Sequence, residues 1–486
     1  MSQANKLLKG STVLILGRVG GYVLSFGRNV IVARLLPKAD LGLAVMFGTT
    51  ITLLEIAGRM CFGQQLVQAR QGATDEFLAA SHLFQFLLAS LGAVLVLLIS
   101  GPLAMLLHVP NLQWAFAALA VIPLSRGFEN LDNFRQQREL NFTPAALCEV
   151  IPHIVITMAA WPLAAWLRDF RAIVWLLIIK GVVGILVTHL VAPQSYRWLW
   201  NRKFIAQIWT FGWPLLLTNL LMFASQQADQ MLVGAFISLE DLARYSLSVS
   251  VVAIPWFIFS QVGTSLILPM LAKAQDDQVL FCKYYRACMV FTGVGAIAVN
   301  LPLIVAGEQL IVFCYGAKYA DCGPLVALLT TAIAVRFVRF VPNTAAMACA
   351  DTINQLYSNL WRTISLPLAA VVVLCGGGVL AIAACPLAAE IAAVNFSVWR
   401  LRNRHGLPLR DTLNMAAYLM GFICAGLCLL WLGAPHWKPW TVGAVALGMV
   451  VLSLLTGWLL YPQFAQQFTQ SMGQWKPRRR LEASAG

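Results

Sequence analysis

The chain has 486 residues, 59% hydrophobic and only 11% charged, with a mean hydropathy of +0.75 and a net charge of +14. Soluble domains carry about 25% charged residues. The composition therefore excludes a soluble enzyme or nucleic-acid-binding domain and points to an all-α protein that crosses a membrane many times.

A window about 19 residues wide predicts fourteen spans: 11–33, 41–66, 78–100, 111–128, 144–166, 171–193, 207–236, 242–271, 287–307, 323–345, 357–375, 377–400, 412–433 and 439–461. The first run is too long for a cleavable signal and lacks a small-residue cleavage site, so it is expected to stay as the first span. Between spans three and four, "GPLAMLLHVPN" reads as an interfacial helix, and "GGGVL" from Gly376 forms a tight turn between spans eleven and twelve. Pro214, Pro255, Pro269 and Pro302 lie inside spans, where proline kinks a helix. Aromatic clusters such as "YRWLWNRKF" and "HWKPW" read as interfacial anchors, and the terminal "LEASAG" as a cloning remnant.

An even number of spans puts both termini on one side. With that side cytoplasmic, twenty of the 34 Lys and Arg fall in cytoplasmic segments, seven in external loops and seven inside spans. The heaviest clusters are Arg400, Arg402, Arg404 and Arg410, then Lys476, Arg478, Arg479 and Arg480. This bias predicts cytoplasmic N- and C-termini. No predicted loop exceeds about twenty residues by this window, which leaves no room for an extramembrane catalytic domain. DxD, HExxH, GxSxG and Walker sequences are missing, so neither an enzyme nor an ATP-driven pump is expected. The eleven Cys form no CxxC pair and read as small apolar helix residues; no metal or cofactor is expected.

Sliding the sequence by 201 positions lays "GAFISLEDLARYS" on "ARLLPKADLGLAV", with Asp241 on Asp40 and Leu242 on Leu41. Arg18, Ser25 and Arg28 then fall on Asn219, Gln226 and Asp229. At about 100° per residue, Arg18, Gly21, Ser25 and Arg28 share an arc of roughly 80°. The repeat predicts a six-helix lobe in residues 1–200, a second in 201–405, helices thirteen and fourteen in 406–465 and a basic tail in 466–486. Two parallel repeats would enclose a midplane cavity, with the two polar stripes facing across it. A salt bridge between Arg28 and Asp229 is the structural alternative.

Seven basic residues lie well inside spans, away from their ends: Arg18, Arg28, Arg59, Lys180, Arg336, Arg339 and Arg362. Four acids join them: Glu55, Glu149, Asp229 and Glu390. Facing lipid, seven cations would cost roughly 18–25 kcal/mol, so most must face a cavity or a partner. Glu55 and Arg59, four apart, are spaced to neutralise each other. Arg336 and Arg339 share a helix face with no acid nearby in sequence, and Arg362 follows in the next span. The excess of bases predicts a cationic cavity built by Arg18, Arg28, Arg59, Arg336, Arg339 and Arg362, with Ser25, Asn219, Gln226, Asp229 and Glu55 supplying polarity or coupling. Such a cavity gathers anions, and guanidinium forks onto phosphate oxygens. His153 and His189 read as helix–helix hydrogen bonders.

Four stretches resemble the bacterial polysaccharide and oligosaccharide flippases (Wzx-type): "VARLLPKADLGLAVMF", "QRELNFTPAALCEV", "QQADQMLVGAFISLEDLARYSL" and "LILPMLAKAQDD". Their superfamily also holds multidrug extruders and lipid II flippases. Arg244-Tyr245 departs from the family's usual Gly before the aromatic. The resemblance implies two six-helix lobes around a central cavity, a terminal helix pair, and alternating access driven by an ion gradient or the membrane potential, with Na+ or H+ as coupling ion. It implies an undecaprenyl-pyrophosphate-linked oligosaccharide as cargo, moved across the bacterial inner membrane for exopolysaccharide, capsule or O-antigen assembly. Membrane lipids and polysaccharide polymerase or assembly proteins would be its partners, nucleic acid would not, and the chain would act as a monomer. A cation or drug antiporter and a membrane glycan polymerase or ligase are the competing readings.

Overall fold

In a computed structural model, which describes residues 3–59, 62–407, 409–431 and 439–460, the described chain is predominantly helical and contains no strand. Eleven helices among these are long and apolar enough to cross a membrane, so this is a multi-pass membrane protein. The chain divides into two compact units, Met1–Ser246 and Leu247–Gly486. The basic tail from 466 and most of "HWKPW" lie outside the described residues.

The first unit contains α1 (Gln3–Leu35), α2 (Lys38–Arg59), α3 (Phe62–Gln68), α4 (Asp75–Leu106), α5 (Gln113–Ala118), α6 (Val121–Gly127), α7 (Asp132–Arg138), α8 (Thr143–Leu167), α9 (Arg171–Leu190), α10 (Arg202–Phe236) and the start of α11 (Leu239–Ala272). The second holds the rest of α11, α12 (Gln278–Tyr315), α13 (Gly323–Ala348), α14 (Thr352–Thr363), α15 (Ser365–Leu374), α16 (Val379–His405), α17 (Leu409–Trp431) and α18 (Pro439–Leu460). Side-chain oxygens that accept free first-turn amides set several starts. Thr74 caps α4, Asn201 caps α10, Asp277 caps α12 and Asp351 caps α14. Gly406, at φ +65°, closes α16 in a conformation that favours glycine.

The described residues of each expected span are mostly helical, yet fourteen spans are not confirmed. The three beyond the eleven are α1, with Arg18, Arg28 and Arg34 in its length, the stretch 111–128, and α18, whose described apolar part runs only Trp440–Thr456. The stretch 111–128 is broken between α5 and α6. There Ala120 and Ile122 bond three residues back, to Ala117 and Leu119, and Pro123 offers no amide to Leu119. The segment read as an interfacial helix instead extends α4 through Pro102. Its end is a Schellman turn, with His108 at φ 58° and the Val109 amide on the Ala104 carbonyl at 2.9 Å. Span eleven is two pieces, α14 and α15, meeting at Ile364; Pro367 withholds the amide that Thr363 would receive.

The two segments related by the 201-residue shift pack on each other. A Cβ on Gly42 would sit 1.9 Å from the Leu239 carbonyl oxygen, so no side chain fits there. A Cβ on Gly234 would lie 2.7 Å from Met46 Cε. Glycines also let α1 lie close on α8, where Gly17 faces Ala146 and Gly21 faces His153.

Candidate functional site: a charged cluster in each unit

In the second unit, α13, α14 and α16 meet around one carboxylate. Glu390, in the middle of α16, is completely buried. It accepts Arg336 Nε at 2.6 Å and Arg339 Nε at 2.9 Å, and forms an ion pair with Arg362 Nε at 3.3 Å. Arg336 and Arg339 lie three apart on α13, so helical geometry aims both at the same neighbour. Arg339, 6% exposed, also donates to Ser358 Oγ at 2.9 Å and to Asn359 Oδ1 at 3.4 Å, which fixes it against α14. Arg336 lies over the Trp256 ring, 5.6 Å from its centroid. Three cations on one anion leave two positive charges at this point. The sequence predicted these arginines as a cluster without a nearby acid. The acid is Glu390, 51 positions beyond Arg339, brought in by the packing of α16 on α13.

The first unit holds a partly open cavity of about 440 Å³ lined by α2, α3, α4, α6, α7, α8, α9 and α10. Arg126, at the end of α6, clamps two of its carboxylates, Glu55 at 3.0 Å and Glu129 at 2.6 Å. Glu149, His153, Lys180 and Asn219 also line the cavity. Glu55 and Asn219 were both predicted site residues, and the fold brings them to one wall. Glu55 meets Arg126, which comes from another helix. The side chains of Arg59 and Arg18 lie outside the described part of the structure.

The predicted stripe on α1 is divided among local partners. Ser25 Oγ pairs with His153 Nδ1 at 3.0 Å, and Arg28 donates to Asn29 Oδ1 at 3.0 Å. Asp229 accepts the Tyr245 hydroxyl and the Gln230 amide, the latter at 2.9 Å. Gln226 is exposed. His189 reaches the Phe128 carbonyl at 2.9 Å, the helix–helix role expected of it. The described cysteines are free, and no group of three or more His, Cys, Asp or Glu among the described residues could hold a metal ion.

A third cluster joins two helix ends in the second unit. Asp351, just before α14, is 3.2 Å from Arg400, 3.7 Å from Arg404 and 3.5 Å from His405. Burial alone would raise its carboxyl; the Arg400 hydrogen bond and charge, with His405 and Arg404, hold it below the usual carboxylate range.

A family model for polysaccharide biosynthesis proteins matches residues 31–324, more than half of the chain. The chain belongs to the polysaccharide biosynthesis protein family. Within that family it is similar to the teichuronic acid biosynthesis protein TuaB of Bacillus subtilis, at 22% identity over 56% of each chain. The match thus spans little more than half the length of that relative. It is similar to the lipopolysaccharide biosynthesis protein WzxC of Escherichia coli at 22% identity, over 75% of this chain and 74% of that one. Among solved structures, the lipid II flippase MurJ in an inward closed conformation shares the fold: TM-score 0.71, 13% identity, 94% of this chain and 100% of that one.

Sequence reasoning missed Arg126 and Glu129 in this family member because they straddle the end of the broken span 111–128, Arg126 just inside it and Glu129 just beyond. The signal that would have found them is their i,i+3 spacing, the same periodicity that paired Arg336 with Arg339.

Proposed function

We propose that the protein is a flippase that moves an undecaprenyl-pyrophosphate-linked oligosaccharide across the bacterial inner membrane, for exopolysaccharide, capsule or O-antigen assembly. The termini are cytoplasmic and the mechanism is alternating access. The observation that carries this reading is the Glu390 cluster. Its three guanidinium groups exceed the carboxylate by two charges. A pyrophosphate supplies the missing negative charge, and guanidinium donors match its oxygens in paired hydrogen bonds. Glu390 acts as a template, holding the forks in place before the headgroup arrives. Family membership and relatives named for teichuronic acid and lipopolysaccharide biosynthesis support the glycan part of the cargo. The likeness to MurJ supports the fold in which it would move.

The experiment is glycan export in cells lacking their own copy of the protein. Arg339→Ala, with the protein still inserted, is expected to abolish export. Arg244→Ala, whose partner is Asp241 at 3.4 Å one turn away, is expected to leave export near wild type. Normal export by Arg339→Ala would overturn the reading. An antiporter of organic cations would want acids in excess at its binding site, the opposite of the Glu390 cluster. A glycan polymerase or ligase would join repeat units in purified form; a flippase moves them unchanged.

A further inference from the structure

Beside the arginines around Glu390 runs a polar stripe that the charge count does not use. It lies on α14, which opens the least apolar of the eleven candidate spans, and little of that span is buried. The exposed residues of α14 sort into two arcs. Ile353, Leu356 and Leu360 are apolar and suit acyl chains. Gln355 and Asn359, both exposed, and Thr363, half-buried, stand four apart on another arc. That arc is centred roughly 90° round the helix and runs about 12 Å along its axis. Uncharged polar side chains at membrane depth are costly against lipid and mark a wet cavity or a polar partner.

Two of the three side chains are partly used, and what remains has a definite sense. Asn359 Oδ1 accepts Arg339 at 3.4 Å, so its amide hydrogens remain to donate. Thr363 donates its hydroxyl to the Asn359 carbonyl at 3.0 Å, so its oxygen remains to accept. Gln355 brings one acceptor and two donors. The stripe joins the charged cluster at two points, through Asn359 and through Arg362, which precedes Thr363 and pairs with Glu390. Arg339 is nearly buried and tethered to Ser358 and Asn359, so Arg336 and Arg362 are the members of the cluster more open to a headgroup.

We propose that Gln355, Asn359 and Thr363 read the sugar attached to the pyrophosphate and so set which saccharide the protein accepts. This rests on the flippase reading above and gives it specificity-determining residues that charge alone does not supply. With the pyrophosphate on Arg336 and Arg362, the next group of the cargo lies along α14. A sugar ring carries hydroxyls that each donate and accept, the complement of the Asn359 amide hydrogens, the Thr363 oxygen and the mixed Gln355 amide. An acyl chain offers these groups nothing to bond, and the three side chains include no carboxylate to hold a cation. A site built from such groups favours the ligand that satisfies them over an analogue that leaves them unpaired.

The test sets two lipids in competition for the full chain, at equal concentration, read by native mass spectrometry. One is the lipid-linked repeat unit extracted from cells that lack the protein; the other is undecaprenyl pyrophosphate without sugar. Wild type should carry the sugar-bearing lipid in about tenfold excess, the yield of one or two net hydrogen bonds. Gln355→Leu combined with Thr363→Val should carry the two lipids about equally. Leu360→Ala, on the apolar arc, should keep the wild-type ratio. The ratio is read on complexes alone, so a misfolded fraction does not alter it. Wild type that takes both lipids equally overturns the stripe and leaves the pyrophosphate site standing. A double variant that keeps the wild-type preference also overturns the stripe. Wild type that binds neither lipid overturns the flippase reading itself, and the stripe with it.

Discussion

Glu390→Gln is the substitution that tests the charge arithmetic most directly. The shape of the side chain hardly changes. The two oxygens that face three arginines become one carbonyl oxygen and one amide group, and the amide points donors at donors. Removing one partner from a buried ion pair costs about 3–5 kcal/mol because the other charge is left uncompensated. Here three are left, within 3.3 Å of the substituted group. At an effective dielectric of about 20, each pair of unit charges about 4 Å apart is worth about 4 kcal/mol. Arg336 at 17% and Arg362 at 20% exposure recover part of that through water. We expect a net loss near the lower end, about 3 kcal/mol by the buried-pair figure. The variant should also become an anion sponge, since its local charge rises from plus two to plus three. The assay is tryptophan-monitored thermal unfolding in nanodiscs, with and without millimolar pyrophosphate. Glu390→Gln should melt well below wild type, and pyrophosphate should restore more of that loss than chloride at equal ionic strength. A variant as stable as wild type, or one indifferent to pyrophosphate, would refute the reasoning.

Arg126→Leu should destabilise the first unit by about 1–3 kcal/mol, reduced from the fully buried case because the arginine is 26% exposed; unfolding midpoints check it, and Glu55→Gln in the same background should recover part of the loss. Gly42→Val forces a side chain onto the Leu239 carbonyl and should abolish accumulation of folded protein, read by fluorescence-detection chromatography. Asp351→Asn should remove a pH-dependent contribution. The folded carboxyl titrates below its unfolded value near 3.8, so its stabilisation is present above about pH 4 and fades as pH falls through the lower folded value. Wild type should therefore melt above the variant at pH 6 and converge with it below pH 4.

Much of the architecture was legible in the sequence because lipid is an unforgiving solvent. Backbone groups must be satisfied within the segment, so long apolar runs become helices, and most predicted spans fall on a single one. What hydropathy averages cannot see is local hydrogen-bond chemistry. Pro123 and Pro367 each split a span, although the apolar count around them is unbroken. Conversely, Pro102 lies inside α4, which continues where a loop with an interfacial helix was expected. The buried arginines were visible for the same reason the helices were: a charge in an apolar run needs an explanation. Their partners were not visible. Glu390 lies 28 positions beyond Arg362 and more than 50 beyond Arg336, and only the contact of α16 with α13 and α14 selects it. Arg18 and Arg28 looked alike on a helical wheel with Asn219 and Asp229. Yet Ser25, on the same stripe, is taken by His153 of α8, a neighbour that periodicity does not name.

A carboxylate shared by three guanidiniums has an electrical consequence for turnover. In the proposed cycle a seated headgroup would quiet the local field; with cargo gone, the cluster's excess of positive charge would stand in a medium that solvates it poorly. The vacated carrier would thus be the high-energy partner of that cycle, drawing the next diphosphate quickly and resisting an empty return.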